Sequence, residues 1–173
     1  MVMERVPAED WEQHAGHVAR YRYASAHVRA GESVNDVACG SGYGSLFLLK
    51  GPYSGYDMPG VPDPTFPGSF HAADLDDPSW LPEPADVTVC FETLEHVKDP
   101  AWLARVIAAT TRRAVFVSVP VVPTKHLNPH HLHDFTVSDI PELFPGWTVA
   151  GDWPQPEELS HVWMLVRTGV PGA

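Results

Sequence analysis

The sequence predicts an α/β domain with a mostly parallel sheet. Three observations carry this expectation. Short apolar runs alternate with helical stretches along the chain. A glycine-rich turn follows the first apolar run. The last two runs are joined by a connection too short for a parallel crossover, so they pair as an antiparallel hairpin at one edge. The full expectation is seven strands, with a reduced helix between the second and third.

The elements follow in order. Residues 8–30 read as an N-terminal helix, with Ala8, Trp11, Ala15, Val18, Ala19, Tyr23, Ala26 and Val28 as an apolar stripe, stopped by Gly31. The core then runs over about 31–173, and the absence of a linker makes 1–173 one domain. Strands are expected at 33–39, 53–57, 69–74, 85–91, 114–119, 147–153 and 162–168. Helices are expected at 45–50, 100–110 and 137–144. Pro100 suits the first turn of its helix, and Arg112-Arg113 reads as a pair at that helix's C-terminus, favoured by the dipole. Segment 58–68 is broken by Pro and Gly, which removes the helix expected there.

Composition narrows the function classes. With 44% hydrophobic and 19% charged residues, the chain is globular rather than disordered. No apolar run approaches the ~20 residues a membrane span needs. The charged N-terminus lacks a signal-peptide stretch, so a cytoplasmic location without membrane association is expected. A net charge of −11 argues against a nucleic-acid partner held by broad phosphate neutralisation. Cys39 and Cys90 sit in apolar runs, as buried free thiols do.

The turn Asp36-Val37-Ala38-Cys39-Gly40-Ser41-Gly42-Tyr43-Gly44 is the first functional signal. Glycines allow a tight turn and a close approach of backbone N–H groups to a ligand. Acids end three successive strand regions, at Asp36, Asp57 and Asp74. Ligands of open α/β sheets bind at those carboxyl ends, and an acid at position 57 is placed to accept ribose hydroxyls. The glycines are spaced Gly-x-Gly-x-Gly rather than as a dinucleotide fingerprint. An acid four residues ahead of Gly40 suits an amino group better than a diphosphate. That points to S-adenosylmethionine (SAM), which carries an α-amino group and no phosphate.

VNDVACGSGYGS resembles the first motif of class I SAM-dependent methyltransferases, whose fold is Rossmann-like. ADVTVCFETLEHVKDP and VSVPVVPTKHLNPHHLHDFT resemble later segments of ubiquinone-type O-methyltransferases (methyltransferase type 11/12-like), and HVARYRYASAHV resembles the helix ahead of the first motif. Together these span about residues 14–145. The resemblance implies that Gly40, Ser41 and Gly42 line the cofactor's methionine part, with Asp36, Ala38 and Cys39 of the same motif among the cofactor-binding residues. It implies that Asp57 holds the ribose, Met58 packs on adenine, and Asp74 with Leu75 contacts the adenine edge. Phe91 and Glu92 lie beneath the sulfonium, and Arg20 reaches the methionine carboxylate. Ala38 stands where many members carry Gly.

A second constellation follows the fourth strand. Glu92, Glu95 and His96 share a face if the segment takes a helical turn, and His130, His131 and His133 follow the fifth strand. Carboxylates and imidazoles together suit a divalent metal such as Mg²⁺, Mn²⁺, Fe²⁺ or Zn²⁺. The pattern resembles the metal site of ubiquinone-type enzymes and small-RNA 2′-O-methyltransferases. It implies Glu92, Glu95, His96 and His131 as ligands, with His133 as the substitute for His131. Two other readings stay open: a metal-free site in which His131 or His96, with Glu95, handles the acceptor proton, and purely structural histidines.

His14, His17 and His27 lie on the first helix and read as surface, with a cleft-facing position left open for His14 and His17, which are three residues apart. Trp147, Trp153 and Trp163 read as core or as an interface for a homodimer. The expected function is SAM-dependent methyl transfer to an oxygen, or a nitrogen, of a small molecule such as a sugar, a phenol or a natural-product intermediate. The alternatives are an RNA 2′-O-methyltransferase and a non-catalytic SAM-binding partner domain.

Overall fold

In the computed structural model, which describes residues 6–169, a 3₁₀ turn at Trp11–Gln13 leads into α1 (Ala15–His27). There follow β1 (Val34–Val37), α2 (Ser45–Leu48), β2 (Tyr53–Asp57), β3 (Ser69–Ala72), β4 (Ala85–Phe91) and α3 (Pro100–Thr110). The chain ends with β5 (Thr111–Pro120), α4 (Asp139–Leu143), β6 (Trp147–Gln155), a 3₁₀ turn at Pro156–Glu158, and β7 (Ser160–Arg167). The expected domain 1–173 includes residues 1–5 and 170–173, which lie outside the described residues.

The seven strands form one sheet in the order β3-β2-β1-β4-β5-β7-β6. The pairs up to β4–β5 are parallel, and β7 runs antiparallel to both β5 and β6. The edge hairpin and the seven-stranded α/β architecture are therefore as expected. The chain reverses direction of travel across the sheet between β1 and β4, which opens a crevice at their carboxyl ends.

Period-two alternation divides the core into two layers. Val87, Val89 and Phe91 of β4, with Ala114 and Phe116 of β5, pack under α1 with Tyr21 and Ala24. Cys90, Val115 and Val117 face the other way, against Leu103, Ala104 and Ile107 of α3 and Ile140 of α4. The α3 N-terminus is fixed by Asp99, whose carboxylate accepts from the Trp102 amide at 2.8 Å, with Pro100 in the first turn. Both cysteines are buried, and neither forms a disulfide.

Several boundaries differ from expectation. The helix expected over 8–30 is shorter, because His14 leaves helical geometry and Val28 is extended. The first strand ends at Val37 because Ala38 turns left-handed, with φ 61°. The helix expected at 45–50 stops at Leu48. β5 starts at Thr111, directly after α3, so Arg112 and Arg113 are strand residues rather than a helix-terminal pair. Arg113 makes two hydrogen bonds to the Glu32 carboxylate and one to the His27 carbonyl, and Arg112 pairs with Asp86. Segment 58–68 contains no helix, as its Pro and Gly content predicts.

Candidate functional site

The site begins where β1 gives way to the turn. Ala38, Gly40 and Gly42 alternate in the left-handed region, at φ 61°, 58° and 94°. A Cβ on Gly40 would meet nothing within 4 Å, so its face is open. A Cβ on Gly42 would meet the Phe70 ring at 2.6 Å. The coiled backbone aims the Gly40 amide at β2, where it donates to Asp57 Oδ2 at 2.8 Å. The Met58 amide donates to Oδ1 at 2.7 Å. Two backbone donors thus hold the Asp57 carboxylate in one orientation at the rim of the crevice, although it is only 6% exposed.

A cavity of about 910 Å³ opens there. Ala38, Cys39 and Gly40 form one wall, and Asp57, Met58, Asp74 and Leu75 extend it. Phe91 and Glu92 lie at the end of β4, and Glu95, His96, His130 and His131 close the far side. Most residues expected to contact the cofactor therefore share one cavity.

Four of the expected cofactor contacts do not. Asp36 lies behind the turn, 1% exposed, accepting from the Tyr53 hydroxyl at 2.7 Å and the Tyr21 hydroxyl at 3.3 Å. Burial pushes its carboxyl up to about 7, against the lowering effect of those two hydrogen bonds. It braces α1 and β2 rather than facing an amino group. Ser41 turns to a separate groove shared with residues 60–64, where its hydroxyl donates to the Val6 carbonyl at 2.9 Å. Gly42 packs against Phe70 and is not on the cavity wall. Arg20 is fully buried and does not line the cavity. Its Nε donates to Gln155 Oε1 at 2.6 Å, and its terminal nitrogens lie 3.7 Å from Glu92 and 3.8 Å from Glu158.

Glu92 also departs from its expected role as a metal ligand. Residues 92–97 form turns instead of a helical face, and Glu92 itself has φ 47°. Its carboxylate accepts from the Ser118 and Ser160 hydroxyls, both at 2.8 Å. Those bonds and Arg20 commit it to joining β5, β7 and α1. His133 is likewise turned away, with Nε2 at 2.9 Å from the Val97 carbonyl.

Glu95, His96 and His131 do converge. One ligand atom from each lies within 4.8 Å of the others. Glu95 is 1% exposed, and the His96 and His131 rings meet edge-to-face with centroids 4.6 Å apart. The Leu132 amide donates to the Glu95 carbonyl at 2.7 Å and fastens the two loops together. Two imidazoles and one carboxylate match the protein ligands of a catalytic zinc or non-haem iron site with open positions.

The start of α1 and the residue that precedes it contribute side chains that the sequence reading favoured as surface. His14 and His17 both line the cavity, with Tyr21 beside them. Burial, then the charges of Arg20 and His14, lowers the His17 imidazole to about 3, so it is neutral at ordinary pH. Glu158 and Leu159 reach the cavity from the turn before β7. The one sequence signal for His14 and His17 was a three-residue spacing that would share a face in a continuous helix; His14 instead stands just ahead of α1.

No protein-family model and no curated protein matches the chain. Solved structures do. A Haloferax volcanii protein in complex with the Trm112 methyltransferase activator superposes at TM-score 0.69 and 18% identity, covering 92% of this chain and 95% of that one. This chain has the class I methyltransferase fold. The magnesium protoporphyrin IX methyltransferase ChlM from Synechocystis PCC 6803, solved with bound SAH, shares it at TM-score 0.68, 16% identity, and 91% and 83% coverage. A SAM-dependent methyltransferase from Mesorhizobium loti shares it at TM-score 0.67, 16% identity, and 86% and 98% coverage. In this methyltransferase fold, among the described residues, no helix is long and apolar enough to cross a membrane.

Proposed function

We propose that the chain transfers a methyl group from SAM to an oxygen of an uncharged small molecule. The observation that carries this reading is the Asp57 carboxylate, held by the Gly40 and Met58 amides at the mouth of the cavity. A fixed acceptor-only group there suits a pair of ribose hydroxyls. Asp74 and Leu75 suit the adenine edge beyond it, and Phe91 suits the base of the methionine part. When bound, SAM supplies a methyl on a cationic sulfur; the carbon–sulfur bond breaks toward sulfur as the new oxygen–carbon bond forms.

The cavity's charge supports both cofactor and acceptor class. Its described lining has no Lys or Arg, but it has the carboxylates of Asp57, Asp74, Asp76, Glu92, Glu95 and Glu158. That surface suits the cationic sulfonium and ammonium of SAM and disfavours an acceptor that brings further negative charge. It also weighs against RNA, whose backbone needs a positive track. Asp36 and Arg20 serve this site by holding its walls rather than by touching SAM.

The acceptor is expected beside Glu95, His96 and His131. A divalent cation held there would lower the pKa of an acceptor hydroxyl. Glu95, His96 and His131 would hold the cation that orients that hydroxyl, whose proton would leave to solvent as the methyl arrives; His17, neutral at ordinary pH, lines the same cavity.

The test is transfer of a labelled methyl from SAM to a panel of neutral phenols, catechols and sugars, each paired with its carboxylated or phosphorylated analogue. Transfer to neutral members, reduced by a chelator, is expected. Preference for the anionic analogues contradicts the acceptor class, and no transfer to any member despite SAM binding favours a non-catalytic domain.

A further inference from the structure

The imidazoles of His96 and His131 are oriented by different partners, and the difference assigns a role to a residue outside the ligand set. His96 Nδ1 lies 3.1 Å from the His130 carbonyl. A carbonyl only accepts, so Nδ1 carries a proton in this contact and Nε2 is the nitrogen turned to the other side. That side faces Glu95, with Nε2 3.9 Å from Oε1. His131 Nδ1 instead lies 2.6 Å from the Thr124 hydroxyl. A hydroxyl both donates and accepts, so this contact leaves either ring tautomer available.

We infer that Thr124 is a positioning residue for His131, holding its ring so that Nε2 addresses a divalent cation shared with Glu95 and His96. The inference rests on the metal-assisted reading above. With a cation at Nε2, the Nδ1 proton is donated to Thr124 Oγ1. Without one, the hydroxyl rotates and donates to Nδ1, and Nε2 carries the proton toward the carboxylate side. The proton moves between the nitrogens through solvent exchange, and no other group changes charge.

Thr124 is suited to this because it is itself fixed. It is 7% exposed. Its amide donates to Asp134 Oδ1 at 2.8 Å, and its carbonyl accepts from the Leu127 and Asn128 amides at 2.8 and 2.9 Å. Asp134 also accepts from the Lys125 amide at 3.1 Å. The same loop is fastened to the Glu95 carbonyl through the Leu132 amide. Hydroxyl, imidazole and carboxylate therefore belong to one rigid frame. Outer partners of metal-bound histidines fix ring orientation and raise ligand basicity.

The experiment titrates Co²⁺ into the full chain and reads affinity and the ligand-field spectrum for wild type, Thr124→Val and Thr124→Ser. Valine keeps the shape and loses the hydroxyl; serine keeps the hydroxyl and loses the methyl. Thr124→Val is expected to bind Co²⁺ about 10- to 100-fold more weakly, with Thr124→Ser retaining wild-type affinity and spectrum. Thr124→Val binding like wild type overturns the role of Thr124 but leaves the metal site standing. Thr124→Ser as weak as Thr124→Val overturns it too, since the loop shape rather than the hydroxyl then matters. A wild-type chain that takes up no Co²⁺ overturns the metal-assisted reading and this inference together. Should Thr124→Val fail to fold, nitrogen NMR of Zn²⁺-loaded wild type decides: a proton on His131 Nδ1 supports the role, and metal on Nδ1 overturns it.

Discussion

The Gly40 amide donates to Asp57 across 2.8 Å, joining the turn after β1 to the end of β2. Gly40 can make this bond because its φ of 58° points the N–H inward while its α-carbon faces open space. The two invariable demands of the turn, left-handed backbone and room, fall on different glycines. Gly40→Ala is expected to destabilise by about 1 kcal/mol through backbone strain alone. Gly42→Ala adds a clash with the Phe70 ring and is expected to cost roughly 2–3 kcal/mol. Chemical denaturation of both variants measures the difference; equal losses would contradict this division.

Ala38 takes the same left-handed geometry without glycine's freedom, at φ 61°. Ala38→Gly relieves that strain and offsets glycine's larger unfolded-state entropy. A net gain of about 0.5–1 kcal/mol in unfolding free energy is expected. A loss of stability would contradict the assigned strain.

Arg20 and Glu92 lie 3.7 Å apart, with Arg20 fully buried and both tied to β6 or β7. Arg20→Leu leaves Glu92 and Gln155 without a cationic neighbour and is expected to cost roughly 3 kcal/mol. Adding Glu92→Gln to Arg20→Leu should recover part of that loss. Additive losses in the double variant would contradict the coupling.

Two buried groups pull the pH dependence of stability in opposite directions. Asp36 keeps its proton up to about pH 7 when folded but loses it near the ordinary carboxyl value of 3.8 when unfolded. The folded state then binds more protons between those values, so this group's contribution falls as pH rises from about 4 to 7. His17 titrates at about 3 when folded and near 6.5 when unfolded. There the unfolded state binds more protons, so stability rises with pH from about 3 to 6.5. Each slope is at most about 1.4 kcal/mol per pH unit. Urea denaturation from pH 4 to 7 should show Asp36→Asn with a more positive slope than wild type and His17→Asn with a more negative one. Parallel profiles for all three proteins would contradict the assignment.

Strands and helices with strong local signals were legible in the sequence. β2, β4 and α3 have the expected ends because apolar alternation, Pro100 and the Asp99 cap act within a few residues. The start of β5 was not legible, because Thr111–Arg113 are made strand by distant partners: Ala85 in β4, Glu32 and Asp86. At the site, residue type and the adjacency of strand ends brought Glu95 and His96 together with the histidines at 130, 131 and 133, and the family resemblance singled out His131. Glu92 could not be separated from them, because its left-handed backbone redirects it to Ser118 and Ser160. Asp36 looked like a ligand because nothing local shows that Tyr21 and Tyr53 occupy its carboxylate. Burial of a charge such as Arg20 likewise depends on residues more than a hundred positions away, here Gln155.

Calorimetric titration with SAH addresses the cofactor pocket most directly. Wild type should bind at a single site, and Asp57→Asn, which keeps the side-chain shape but removes its charge, should bind roughly 10- to 100-fold more weakly, as expected for hydrogen bonds to a charged group. No heat of binding with wild type, or an Asp57→Asn variant that binds as tightly, would contradict the account.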